Sequence, residues 1–160
     1  MSDDVAMLDQ EGAIVTLTLD NPPMNPLGVA QITALETVIP ELAADPSVRV
    51  IVIRGAGGRN FSVGANLKEG HLAAEVGAET FSQQRIDVFN MIEALEKPVI
   101  AAIEGYCLGG GMELAMACHF RVAREDAQMG LPEIDLGMAP LWSGAARVLR
   151  LVGRARALEL

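Results

Sequence analysis

Twice in this chain an apolar, strand-like run empties into a cluster of glycines that leads to a helix. Val50-Ile51-Val52-Ile53 runs into Gly55, Gly57, Gly58 and then Gly64, and Val99-Ile100-Ala101-Ala102-Ile103 runs into Gly105 and Gly109-Gly110-Gly111. Glycine lets backbone approach backbone or ligand closely, and the first N–H groups of a helix have no partner within it. Each turn therefore presents free main-chain donors, and two such donors converging on one point form an oxyanion hole. The same glycines also serve as tight-packing and turn residues, so the pattern by itself leaves both readings open.

The elements around the turns alternate. Residues 13–19 (Ala-Ile-Val-Thr-Leu-Thr-Leu) read as a strand closed by Asp20-Asn21-Pro22-Pro23. A helix is expected over residues 28–44, where Ile32, Leu35, Val38, Ile39 and Leu42 recur at helical spacing, with Pro40 weakening its end. Residues 49–54 form a strand apolar on both faces, as in a strand covered on both sides. Residues 71–95 form a polar-faced helical region stopped by Glu96-Lys97-Pro98. Residues 99–103 and 120–123 are further strands, residues 112–118 a helix, and 131–133 a turn. Residues 143–152 are helical, with Arg147 and Arg150 expected to face outward. Residues 153–160 read as the beginning of a helix without a stop, as in a piece of a longer domain or a fold that something else completes. The alternation predicts an α/β architecture in one domain.

Two acids stand out in apolar surroundings. Glu113 lies in the first turn of a helix otherwise made of Met, Leu, Ala and Cys, and Glu133 follows Pro132 in Met-Gly-Leu-Pro-Glu-Ile. A carboxylate near a helix start also favours the helix dipole, and a lone acid after proline is an ordinary loop residue. As a pair in one apolar pocket, however, the two can hold different protonation states, which proton transfer in both directions requires.

Other chemistries lack their residues. Neither glycine turn is followed by Gly-Lys-Ser/Thr or holds a GxGxxG register. Ser62 and Ser143 have Asn60 and Leu141 where a nucleophile elbow needs its first glycine. His71 and His119 have no partner at metal-ligand spacing, so no metal is expected. Acidic residues outnumber basic ones, 21 to 12, for a net charge of −9, which disfavours nucleic acid and anionic membrane surfaces as partners. No apolar run approaches the ~20 residues of a membrane span, and the acidic N-terminus has no secretory h-region. Cys107 and Cys118 lie in apolar segments without CxxC spacing, as reduced core thiols of a cytoplasmic protein would.

Three segments together resemble the enoyl-CoA hydratase/isomerase (crotonase) family. Arg59-Asn60-Phe61-Ser62-Val63-Gly64-Ala65-Asn66-Leu67-Lys68-Glu69 is similar to its first oxyanion loop, and Gly105-Tyr106-Cys107-Leu108-Gly109-Gly110-Gly111-Met112-Glu113-Leu114-Ala115 to its second. Leu131-Pro132-Glu133-Ile134, with Leu136-Gly137 and Pro140, is similar to its third signature, and Asn21-Pro22-Pro23 with Asn25 and Leu27 to the start of the family domain. The resemblance implies a crotonase-like ββα spiral core, with residues 1–160 as one N-terminal core domain lacking the helical C-terminal part. It implies that the N–H groups of Ala65 and Gly110 hold the thioester oxygen. Glu113 would act as base toward water and Glu133 as donor of the proton to the α-carbon, with Ala65, Asn66, Leu67, Lys68 and Gly110 binding substrate. The activity so implied is hydration of a trans-2-enoyl-CoA to a 3-hydroxyacyl-CoA. Alternatives are a Δ3-Δ2 enoyl-CoA isomerase or a non-catalytic acyl-CoA-binding subunit. No metal or redox cofactor is implied, since coenzyme A belongs to the substrate, and the assembly would be a homotrimer or a dimer of trimers.

The chain departs from the family pattern at three places. Asn66 and His119 stand where aspartates are usual, and Leu141-Trp142-Ser143 replaces a glycine-rich turn beside Glu133. His119 is expected to be a structural substitution. Phe81 and Phe89 are candidates for the acyl pocket or for ordinary core.

Overall fold

The computed structural model of the chain describes residues 5–159. Met1–Asp4 of the acidic N-terminus and Leu160 of the expected last helix lie outside the described residues.

The chain opens with a β-hairpin of β1 (Ala6–Glu11) and β2 (Ile14–Leu19), crosses through α1 (Val29–Ala44), and returns as β3 (Val50–Gly55). A glycine-rich loop then leads to α2 (Gly70–Val76) and α3 (Ala78–Glu93), followed by β4 (Val99–Ile103) and β5 (Tyr106–Leu108). Next come α4 (Gly110–Ala117), β6 (Phe120–Ala123), β7 (Gln128–Gly130), a 3-10 turn at Pro132–Leu136, and α5 (Gly144–Ala157). Strands order as β1-β2-β3-β4-β6, with β1 antiparallel to β2 and every later pair parallel, while β5 and β7 form a small separate parallel pair.

The periodic residues of α1 are its buried ones: Ile32, Leu35, Val38, Ile39 and Leu42, joined by Gln31. The helix runs through Pro40 to Ala44. Ile51 and Ile53 of β3 are fully buried and Val50 and Val52 half-buried, so both faces are covered, one more completely than the other. The core is aliphatic, with Phe61, Phe89 and Trp142 its buried aromatic residues.

Several expectations change. Strand β1 was not expected; its side chains are largely exposed, and what makes it a strand is its ladder with β2. The helical region after residue 70 is two helices, broken at Gly77, whose φ of +88° ends α2 and starts α3. The helix expected over 143–152 is α5, and the further helix expected from residue 153 follows to Ala157 across a break at Gly153, as the sequence indicated. Arg147 does not face outward. It is 3% exposed and donates from Nε to Glu93 at 2.9 Å, from Nη1 to the Trp142 carbonyl at 3.0 Å and from Nη2 to Asn90 at 2.7 Å. Arg150 is exposed, as expected. Among the described residues no helix is long and apolar enough to cross a membrane.

Candidate active site

The two glycine turns lie side by side. The 62–65 segment runs along β5, where Ser62 N–H donates to Tyr106 O at 3.0 Å and Leu108 N–H donates to Ser62 O at 2.9 Å. Gly64 has φ +98°, and a Cβ there would stand 2.8 Å from Leu108 O and 3.1 Å from Gly110 N. Side-chain-free backbone at Gly64 is thus what lets the first turn touch the second. On its other side the loop is bridged to Leu27, whose N–H donates to Gly64 O at 2.7 Å and whose carbonyl accepts from Asn66 N–H at 3.0 Å. The N–H of Ala65, between these bonds, and the N–H of Gly110, the first residue of α4, have no partner among the described residues.

Both donors border a cavity of about 370 Å³ whose wall also carries Glu113 and Glu133. Glu113 is 2% exposed. Its Oε1 accepts from Trp142 N–H at 2.8 Å and Gly144 N–H at 2.7 Å, and Oε2 has no hydrogen-bond partner among the described residues. Burial pushes the Glu113 carboxyl up to about 7; the bonds from Gly144 and Trp142 oppose that rise and the charge of Glu133 adds to it. Glu133 sits against the second turn, 2.9 Å from where a Cβ of Gly109 would be. Its Oε2 is buried without a partner among the described residues, and burial raises its pKa as well. The chain therefore sets two reluctant carboxylates beside two idle main-chain donors. Proton exchange at one carbon next to a stabilised oxyanion is the chemistry this can support.

Of the remaining expected residues, Asn66 and Leu67 line the cavity and Lys68 does not. Lys68 is exposed, and its N–H donates to Asn66 Oδ1 at 3.3 Å. Asn66 also donates from Nδ2 to Glu69 Oε1 at 2.9 Å, a bond an aspartate could not give. His119 ties the end of α4 to β4, its Nδ1 accepting from Val99 N–H at 3.0 Å and its N–H donating to Val99 O at 2.9 Å. Phe81 lines the cavity. Phe89 is core, packed edge-to-face on Trp142 with ring centroids 6.0 Å apart.

Sequence reading missed what holds Glu113. The clamp is the bend Trp142-Ser143-Gly144, in which Ser143 takes the left-handed φ of +73°. That conformation suits glycine and is uncommon for serine, and the signal available in the sequence was that a glycine-rich turn is usual there. The Trp142 indole lies over Gly110, where a Cβ would come within 2.1 Å of Cζ3. Among the described residues no three His, Cys, Asp or Glu side chains gather as a metal site.

Comparison with known proteins finds relatives along nearly the whole chain. The profile of the enoyl-CoA hydratase/isomerase family matches residues 9–160. The chain is 44% identical over 148 residues to a probable enoyl-CoA hydratase of Bacillus subtilis, covering 92% of this chain and 57% of that protein. It is 37% identical over 155 residues to the crotonyl-CoA hydratase of Syntrophomonas wolfei, covering 96% of this chain and 60% of that protein. The crystal structure of an enoyl-CoA hydratase from Bacillus anthracis superposes with a TM-score of 0.91 at 36% identity, over 97% of this chain and 61% of that one. The chain thus spans about three fifths of the length of these relatives. Because the family profile runs over nearly the whole chain and the fold superposes on a solved enoyl-CoA hydratase, this protein belongs to the enoyl-CoA hydratase/isomerase family.

Proposed function

We propose that the protein hydrates a trans-2-enoyl-CoA to a 3-hydroxyacyl-CoA. The observation that carries this reading is the placement of Glu113 and Glu133 on one cavity wall with the unpaired N–H groups of Ala65 and Gly110. Those two N–H groups hold the thioester oxygen as it gains enolate charge; losing one such donor typically slows a reaction ~10²–10³-fold. Glu113, fixed by the Trp142 and Gly144 amides, takes a proton from water through its free oxygen while the hydroxyl adds to C3. Glu133, on the same cavity wall, delivers its proton to C2. The turnover leaves Glu113 protonated and Glu133 ionised, and exchange with solvent resets both. Dehydration runs the steps in reverse. The reaction is redox-neutral, so coenzyme A enters only as part of the substrate.

Two carboxylates favour hydration over isomerisation, where a single glutamate suffices to shuttle the proton. The assembly proposed with this activity is a homotrimer or a dimer of trimers. Exposed Phe120, Val122, Ile134, Leu136, Leu149 and Leu158 support association. A cytoplasmic location is proposed with it, supported by two buried free thiols.

Crotonyl-CoA supplies the test. Hydration removes the absorbance of the conjugated thioester, whereas a 3-enoyl-CoA would gain that absorbance under isomerisation. Glu133→Gln should abolish hydration while CoA-ester binding is kept. Near-full turnover by this variant would overturn the assignment of the proton donor. Binding without either conversion would leave a non-catalytic acyl-CoA protein.

A further inference from the structure

Two arginines are buried against Trp142, and among the described residues only one is fully partnered. Arg147 has a partner for each guanidinium nitrogen. Arg85, on α3, is 1% exposed, yet only its Nη1 is bonded, to Phe81 O at 2.8 Å and Gln84 Oε1 at 3.2 Å. Among the described residues its Nε and Nη2 are buried with no partner and it joins no ion pair. Arginine stays protonated in proteins, and an unpaired buried charge is costly. Glu69 is the carboxylate whose charge reaches it, but both Glu69 oxygens are engaged, Oε2 by Val29 N–H at 2.7 Å and Oε1 by Asn66 Nδ2 at 2.9 Å.

The location of the idle donors is informative. Helical side chains lean toward the helix N-terminus, so Arg85 folds back on the turn that carries Phe81 and Ser82, both half-buried in the cavity wall. Its Cζ stacks 3.4 Å over the Phe81 ring and lies 5.8 Å from the Trp142 ring. Stacking occupies the face of the guanidinium and leaves its edge. Nε and Nη2 form the side-on edge, the fork that takes a carboxylate in two parallel bonds. Phe81, Ser82 and Trp142 line the cavity and Arg85 does not, so its edge lies behind that wall.

We propose that Arg85 determines acyl specificity, and that the preferred substrate is a short enoyl-CoA whose distal end is a carboxylate bound by the Nε/Nη2 edge. Phe81 and Ser82, on the first turns of α3 after the Gly77 break, are the side chains that yield to admit it. This inference rests on the hydratase reading above, and it adds to that reading the chemical class of the acyl group.

The test compares trans-2-pentenedioyl-CoA with uncharged trans-2-pentenoyl-CoA by kcat/KM, in the wild type and in Arg85→Lys and Arg85→Met. The wild type should favour the diacid at least tenfold. Arg85→Met should bring the diacid-to-monoacid ratio to one or below, and Arg85→Lys should restore part of it. Hydration of both esters without a preference would overturn the proposal and leave the hydratase reading intact. Should neither ester be hydrated, the hydratase reading falls, and calorimetric binding of pentanedioyl-CoA against pentanoyl-CoA still decides Arg85. A tenfold diacid preference lost in Arg85→Met supports the site, and equal affinities refute it. The melting temperature separates a structural role. Arg85→Met should melt at or above the wild type, because it removes an uncompensated charge, whereas a clearly lower Tm would make Arg85 a core anchor and overturn the proposal.

Discussion

Replacing Glu113 by Gln should make the protein more resistant to alkaline pH than the wild type. Buried at 2% exposure, the carboxyl has its pKa lifted from 4.5 to about 7. Below 4.5 the group is protonated folded or unfolded, and its preference for the protonated form costs nothing. Between 4.5 and about 7 the unfolded chain ionises while the folded one holds its proton, so folding loses stability steadily. Above about 7 both forms are ionised and the loss levels off. At about 1.4 kcal/mol per pH unit, the penalty on the ionised folded form reaches roughly 3 kcal/mol. Glutamine keeps an oxygen to accept from Trp142 N–H and Gly144 N–H and cannot ionise, so any other cost of the substitution is the same at every pH. Denaturant titrations followed by the fluorescence of the single tryptophan, Trp142, give the stability of both proteins from about pH 5 to about pH 8.5. The variant should gain roughly 2–3 kcal/mol on the wild type across that range. A gap that stays constant, or narrows as pH rises, would refute the argument that burial dominates this site.

Three further outcomes follow from contacts. Gly110→Ala sets a Cβ 2.1 Å from the Trp142 ring; the indole must move, lowering stability by about 1–3 kcal/mol, and unchanged tryptophan emission with unchanged Tm would contradict the contact. Arg147→Met strands the Trp142 carbonyl, Asn90 and Glu93, and should cost roughly 2 kcal/mol or more in urea denaturation; a neutral effect would show that these bonds do not hold α5 to α3. Burial pushes the thiols of Cys107 and Cys118 up to about 12, so a disulfide reagent should label neither in the native protein and both after denaturation, and rapid labelling of either folded thiol would count against their burial.

Local pattern was enough for elements whose own residues carry the signal. The apolar spacing of α1 and the branched runs of β2, β3 and β4 became buried faces because periodicity of 3.6 or 2 leaves a chain little choice of which side to bury. Edge strand β1 and the three-residue strands β5 and β7 were invisible because they bury little of their own and exist through their neighbours. The two arginines show the same limit. Arg85 and Arg147 sit on helices where an arginine ordinarily reaches solvent, and only the packing of α3 and α5 around Trp142 encloses them.

The chemical vocabulary was written in the chain itself: glycines where backbone must be bare, acids where the surroundings are apolar, and the motifs that carry the family resemblance. Which donors stayed unpaired was decided by the tertiary structure alone. So was the holding of Glu113 by a bend some thirty residues away, and so was the burial of one arginine with its edge unused. The reason is physical. Residue types fix what a group can do, but desolvation and hydrogen-bond completion depend on segments distant in sequence, and those two set a carboxylate's proton affinity and a guanidinium's need for a partner.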